Sequence, residues 1–247
     1  MRSGRAHQQR NDMRQRIKKA ATDLLIRNGY RGTSYGDIAA KLGITTTNIH
    51  YHFGPKSRLV EEVVREYVDA TLARHREIWL DRDKSLPEKL HAVVEFNSER
   101  HRRFNRGGIG GRPWSLIGRL RLERDLLSEP ARAALSQFTT EVHGFVRTAV
   151  QEACEKGELR PDSPAEDIAF LLANLVNTSS TFTQDAGSID RLAALFETMA
   201  RVLNSAYALR SEAKPGTSEL RIAAAGDGGQ ADPSDSRPDM RAKFTAR

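Results

Sequence analysis

Apolar residues recur along this chain with a helical period nearly everywhere. Ile17, Ala20, Ala21, Leu24 and Leu25 fall at i, i+3, i+4, i+7 and i+8, one stripe that predicts a helix over residues 12–28, ended by Gly29. Ile38, Ala39 and Leu42 share a face of a short second helix, and Ile49 and Phe53, four apart, point a third at the same core. Gly43 stands where a C-cap needs positive φ, and Thr45 stands where an N-cap hydroxyl accepts a backbone N–H, so only a tight turn separates the two short helices. Leu59, Val60, Val63, Val64, Tyr67, Leu72 and Trp79 mark one long helix over residues 56–81. Further helices are predicted over 87–104, 114–127, 130–156, 164–183 and 188–210, with Pro87, Pro130 and Pro164 in first turns and Gly157 as a C-cap. No stretch alternates apolar and polar residues as a half-buried strand would.

The pattern predicts an all-α protein of about nine helices. A three-helix N-terminal unit with a helix-turn-helix occupies residues 10–58, behind a flexible basic arm at 1–9. A helical body occupies 59–210. Three helices of this size enclose a small core that leans on the fourth helix, which is long enough to belong to both parts. Beyond 210 the composition changes: residues 211–247 hold six acidic and six basic side chains, seven Gly or Pro and few large apolar groups, which predicts a disordered tail. The glycine-rich segment 106–113 reads as a connection between body helices. It lacks the preceding strand and the G-x4-G-K-[ST] spacing that a phosphate loop requires.

Charge changes the picture more than overall composition does. The formal net charge is +7, yet residues 1–60 alone hold 12 Lys/Arg against 3 Asp/Glu, a net of +9, and the remaining residues are slightly acidic. The surplus therefore sits in and before the helix-turn-helix, where neutralising phosphates is the main sequence-independent contribution to DNA binding. An exposed third helix bearing Thr46, Thr47, Asn48, Tyr51 and His52 near its start suits a reader of the major groove. The single cysteine, Cys154, excludes an intrachain disulfide and the common structural zinc patterns, which fits a cytoplasmic protein. The basic N-terminus has no apolar run behind it and does not read as a signal peptide, and the most apolar stretch, 168–176, falls well short of the roughly 20 residues that span a bilayer. No cofactor or metal is expected.

From Thr33 to Leu59 the chain resembles the DNA-binding domain of TetR/AcrR-type transcriptional repressors, whose motif runs T-x3-I-A-x3-G-V-S-x3-L-Y-x-H-F-x2-K-x2-L. Thr33, Ile38, Ala39, Gly43, Ile44, Thr45, Ile49, His52, Phe53, Lys56 and Leu59 fit at the right spacing. His50 stands where the family usually has tyrosine, and Gly54 and Pro55 replace the usual polar residues before the lysine. A looser likeness continues through G-R-P-W-S-L-I-G-R-L-R-L-E-R-D and G-E-L-R-P-D in the body. The resemblance implies a homodimer that sets one recognition helix per subunit into successive major grooves of a roughly palindromic double-stranded operator, about 34–36 Å apart. It places Thr46, Thr47 and Asn48 at base edges, Thr45, His50, Tyr51 and His52 at bases or phosphates nearby, and Thr33 and Lys56 at phosphates. It also implies a small-molecule effector, held in the body, that releases DNA.

Residues that are large, or polar on apolar faces, are the candidates for that effector pocket: Phe96, His101, Trp114, Phe138, His143, Phe170, Asn174 and Asn177. Leu171, Leu175, Leu192, Leu195, Phe196, Met199, Val202 and Leu203 form broad apolar stripes on the last two helices and predict a four-helix dimer seam. An activator or a low-specificity architectural DNA-binding protein would share the basic head. A helical enzyme is the alternative of a different class, but the seven histidines form no H-E-x-x-H, no G-x-S-x-G serine elbow is present, and His50 and His52 are two apart on a helix and point in different directions.

Overall fold

A computed structural model describes residues 2–106 and 110–209. Among these the chain forms α1 (Arg2–Asn28), α2 (Tyr35–Leu42), α3 (Thr46–Phe53), α4 (Lys56–Trp79), α5 (Leu86–Phe104), α6 (Leu116–Arg121), a 3-10 turn (Arg124–Leu126), α7 (Glu129–Glu155), α8 (Ala165–Ala186) and α9 (Ile189–Tyr207). The one extended pairing among the described residues is an isolated bridge between Leu159 and Ala208. The segment 211–247, expected to be disordered, lies outside the described residues, as do 107–109 of the glycine-rich connection.

The head closes around Ile17, Ala21, Leu25, Ile38, Ile49 and Phe53, all buried, with Leu59, Val60 and Val63 of α4 completing its floor. These are the stripes the sequence predicts. Ser34 and Asp37 form a reciprocal capping box at the start of α2, and Gly43 ends that helix with φ 67°, a left-handed conformation that L side chains adopt only under strain. Thr45 caps α3 through the Asn48 N–H. Two boundaries differ from expectation. The first helix begins at Arg2, not near residue 12, so helix takes the place of the flexible arm read over 1–9: its polar residues Gln8, Gln9 and Asn11 carry no apolar stripe, and polar helix is invisible to periodicity. The helix expected over 114–127 shrinks to α6, because Ser115 caps it and the preceding Trp114 lies in extended chain, its indole N–H donating to the Thr183 hydroxyl at 2.7 Å.

In the body, α4 lies along α7 and α5 along α9. Val68, Leu72, Ile78 and Trp79 bury the C-terminal half of α4. The buried ammonium of Lys89 on α5 meets Glu152 on α7 at 3.3 Å, and Arg82 reaches the other oxygen of the same carboxylate at 3.1 Å. The expected seam on the last two helices divides. Leu192, Phe196 and Leu203 are buried within the chain, whereas Leu171 and Val202 remain exposed, as does Phe170. No described helix is long and apolar enough to cross a membrane.

Candidate functional site

The third helix presents its first turn to solvent. Thr46 and Thr47 are exposed, and Tyr51 is 69 % exposed, its ring carrying the Arg10 guanidinium at 5.3 Å. The opposite face is held firmly. Ile49 and Phe53 are buried, and Arg14 donates to the carbonyl of His52 while pairing with Glu62 on α4. Arg14 thus ties the C-terminus of the candidate reading helix to both neighbouring helices. Asn48 is half-buried with its amide oxygen turned inward, away from solvent.

The structure redistributes the other residues expected at DNA. Thr33 is 2 % exposed and its hydroxyl donates to Gly29 at 2.8 Å, so it holds the α1–α2 turn from inside and has no access to a phosphate. The neighbouring Ser34 takes the cap. Lys56 folds back: its ammonium donates to the Tyr30 carbonyl at 2.5 Å and sits 4.1 Å from the Tyr30 ring. Burial lowers its pKa below the usual lysine range, against the pull of Glu123 and Asp37. His52 is half-buried, and burial, then Arg10 and Arg14, lower its imidazole below the ordinary histidine range, which favours the neutral form. His50 replaces the expected tyrosine by packing edge-on against Tyr35, with centroids 4.7 Å apart, while its Nδ1 lies 3.1 Å from the Gly54 carbonyl that also accepts from the Tyr35 hydroxyl.

Charge is redistributed too. Lys18 pairs with Glu66 and Lys41 with Asp23, so part of the N-terminal surplus is internal. Arg10, Arg16, Lys19, Arg31 and Arg58 are exposed and make no ion pair among the described residues. Of these, Arg10 lies against Tyr51 of α3.

Comparison with known proteins names this arrangement. Residues 17–63 match the model of "Bacterial regulatory proteins, tetR family", and residues 116–199 match that of a "Tetracyclin repressor-like, C-terminal domain". The chain belongs to the TetR family of transcriptional regulators. It is 32 % identical over 91 residues to the HTH-type transcriptional repressor KstR2 of Mycolicibacterium smegmatis, an alignment covering 36 % of this chain and 44 % of the relative. With KstR2 of Rhodococcus jostii it shares 34 % identity over 58 residues, 24 % of this chain and 28 % of the relative. The chain therefore spans less than half the length of these curated relatives. Among solved structures, a TetR-family regulator from Agrobacterium tumefaciens superposes with a TM-score of 0.68 at 22 % identity, covering 78 % of this chain and 98 % of the other. A regulator from Saccharomonospora viridis in complex with choline gives 0.63 at 20 % identity, covering 81 % and 100 %. KstR2 of Mycobacterium tuberculosis gives 0.57 at 18 % identity, covering 80 % and 95 %. These likenesses establish the TetR fold: a helix-turn-helix head on a helical body.

Inside the TetR-type body, α4, α5, α6, α7 and α8 enclose a cavity with about 20 Å³ of free space, room for one or two waters. Three of the expected pocket residues line it: Trp114, Phe138 and Asn177. Phe96 stands behind its wall, edge-on to His75 at 5.6 Å. The others lie elsewhere. His101 is buried but directs Nε2 to the Gly110 carbonyl at 3.1 Å, securing the loop. Phe170 and Asn174 are exposed on α8, and His143 packs edge-on against Phe170 at 6.5 Å on that outer face. Aromatic or polar residues on helical stripes mark the outer face of α7 and α8 as readily as a cavity wall. The cavity's distinctive groups were missed: His75, Asn97, Arg100 and Arg121. One signal existed, since His75 continues the apolar stripe Val68, Leu72 and Trp79, where a titratable group is out of place.

The sixth helix serves cavity and head at once. Ile117, Gly118 and Arg121 face the cavity. Arg119 donates to the Asn28 carbonyl at 3.2 Å, and Glu123 accepts the Arg31 N–H at 2.9 Å while pairing with Arg119 at 3.2 Å. Gly29, between these contacts, has φ 74°, and a Cβ there would stand 1.9 Å from Glu123. Glycine is needed here twice over, for the backbone and for the approach of Glu123. Among the described residues no group of three or more His, Cys, Asp or Glu side chains is disposed to hold a metal ion.

Proposed function

We propose that this regulator is a repressor that binds a palindromic double-stranded DNA operator as a homodimer and releases it when a small molecule occupies the α4–α8 cavity. The observation that carries this reading is the double role of α6: the helix that walls the cavity also holds the end of α1 at Asn28 through Arg119, and Glu123, two residues past its end, holds Arg31. A ligand that displaces α6 from α8 would move the head of each subunit, and two heads so moved are mis-spaced for successive major grooves.

In this reading Thr46, Thr47 and Tyr51 meet base edges, and Thr45, Asn48, His50 and His52 complete that surface. Arg10, Arg16 and Arg58 neutralise phosphates, together with the free N–H groups in the first turn of α2. Lys56 supports the surface through Tyr30 and reaches a phosphate only by releasing that carbonyl. The exposed Phe170, Leu171 and Val202 on α8 and α9 support dimerisation through the last two helices, because large apolar side chains left in water favour a self-complementary seam.

Footprinting on the DNA upstream of the chain's own coding region, with sedimentation of the free protein, tests this. A sharply protected palindrome and a dimer are expected. Diffuse, salt-sensitive protection would favour a low-specificity architectural role, and a monomer at all concentrations would remove the two-groove geometry.

A further inference from the structure

The cavity contains positive charge without an acidic counterpart. Arg121 is half-buried and donates to the Asn177 carbonyl at 3.1 Å, the Asn177 amide oxygen at 3.0 Å and the Thr139 hydroxyl at 2.7 Å. Arg100 donates to the Tyr67 hydroxyl and lies 4.9–5.4 Å from the Phe96, Tyr67 and Trp114 rings. Every one of these partners is neutral, and neither guanidinium has a carboxylate within ion-pair distance among the described residues. Burying a charge without a counter-charge is costly, so two such cations on one cavity wall are a standing attraction for an anion. Burial, and then Arg124, lower the pKa of Arg121 from its ordinary value, the direction expected of a cation short of compensation.

Two further groups on the same wall lack partners. His75 is 2 % exposed and its Nδ1 makes no hydrogen bond; Asn97 is 4 % exposed and its amide nitrogen makes none. Buried polar groups are nearly always satisfied, so each exception in a cavity points to something that completes it. The remaining wall mixes the apolar and aromatic Trp114, Ile117, Phe138 and Val176 with the hydroxyl-bearing Thr71, Ser115, Ser179 and Ser180.

We propose that the effector is a carboxylate with a short apolar or aromatic body, its oxygens taken by Arg100 and Arg121 and its body lying against Trp114 and Phe138. This rests on the cavity being the effector site. A guanidinium offers two parallel N–H donors that match a carboxylate, which gives direction as well as charge. Asn97 donates to the same head group, and His75, burial holding its imidazole neutral, supplies a donor or an acceptor according to tautomer. With about 20 Å³ free, the ligand enters only by moving the walls. Arg121 is on α6, so drawing it from Asn177 towards the anion displaces the helix that grips the head.

The test is thermal unfolding of the full chain at pH 7 and constant ionic strength with benzoate, phenylacetate and octanoate, each against its neutral amide, and with inorganic phosphate. At least one carboxylate should raise Tm by about 5–10 °C at a hundred times its Kd. Its amide should leave Tm unchanged, and Arg121→Met and Arg100→Met should each abolish the shift, read against each variant's own unliganded Tm. The assignment is overturned if no carboxylate shifts Tm, if amide and acid shift it equally, if phosphate alone does so, or if the carboxylate shift survives in either variant. Operator anisotropy on the same samples separates this from the reading beneath it. A carboxylate that binds through the two arginines yet leaves operator affinity unchanged supports the anion site and removes the effector role.

Discussion

Replacing Glu123 with alanine should uncouple the body from the head without unfolding either. Its carboxylate accepts the Arg31 N–H at 2.9 Å and pairs with Arg119 at 3.2 Å. A hydrogen bond to a charged acceptor is worth about 1.5–3 kcal/mol when buried. This one is at the surface, and a partly exposed i,i+4 ion pair adds only about 0.3–0.5 kcal/mol. Discounting the first for solvent leaves about 1–2 kcal/mol for the clamp. For a chain of this size that corresponds to a fall in Tm of about 2–8 °C. The loss should be local as well as global: amide exchange at Arg31 should accelerate about 5–30-fold, while the α4–α7 core keeps its protection. Glu123→Gln, which keeps an acceptor for the Arg31 N–H but loses the charge, should fall between wild type and alanine. Hydrogen exchange read by NMR or mass spectrometry, together with thermal unfolding, decides the matter. If Glu123→Ala leaves both Tm and Arg31 exchange at wild-type values, the clamp has no energetic content and α6 cannot transmit through it.

Three other outcomes follow from the same structure. Lys89→Met should cost about 3–5 kcal/mol in denaturant titration by leaving Glu152 with only the exposed Arg82, and the double variant Lys89→Met/Glu152→Leu should recover most of it; a neutral single variant would show that the pair is solvated. His75 has its pKa pushed down to about 3, chiefly by burial and then by Arg100, from an ordinary 6.5, so the unfolded chain binds the extra proton between those values and stability falls as pH drops through that window. Between pH 7 and 5 the loss should be about 2 kcal/mol for wild type and absent in His75→Gln, and identical pH slopes for the two would refute it. At the head, Thr47→Ala should alter preference among operator variants by about 1–3 kcal/mol at one base pair, whereas Arg10→Ala should weaken binding to all sequences and lower the salt slope by about 1; a sequence-selective effect of Arg10→Ala would reverse these roles.

The head was legible from local pattern because its information is local. Ile38, Ala39, Gly43, Thr45, Ile49 and Phe53 define two short helices and the turn between them through spacing, capping and φ alone, and each lies in the core or at the cap where that pattern places it. Periodicity failed where helices are polar, as in the first turns of α1, and where a large apolar residue anchors extended chain, as Trp114 does. It also could not rank residues within a stripe. Thr33 and Lys56 fit the motif equally well whether they face a phosphate or the Gly29 and Tyr30 carbonyls; only packing of α4 and α6 against the α1–α2 turn turns them inward.

The sequence by itself determined an all-helical regulator with a basic helix-turn-helix, since helix period, capping residues and charge distribution are properties of neighbours along the chain. Which side chains share a cavity is a property of helices far apart in sequence. His75, Asn97, Arg100, Arg121 and Asn177 come from four helices and share no spacing, so only the tertiary structure could bring two uncompensated arginines against two unsatisfied polar groups. The same holds for α6: six residues of unremarkable sequence become the link between cavity and head because the fold places them against both.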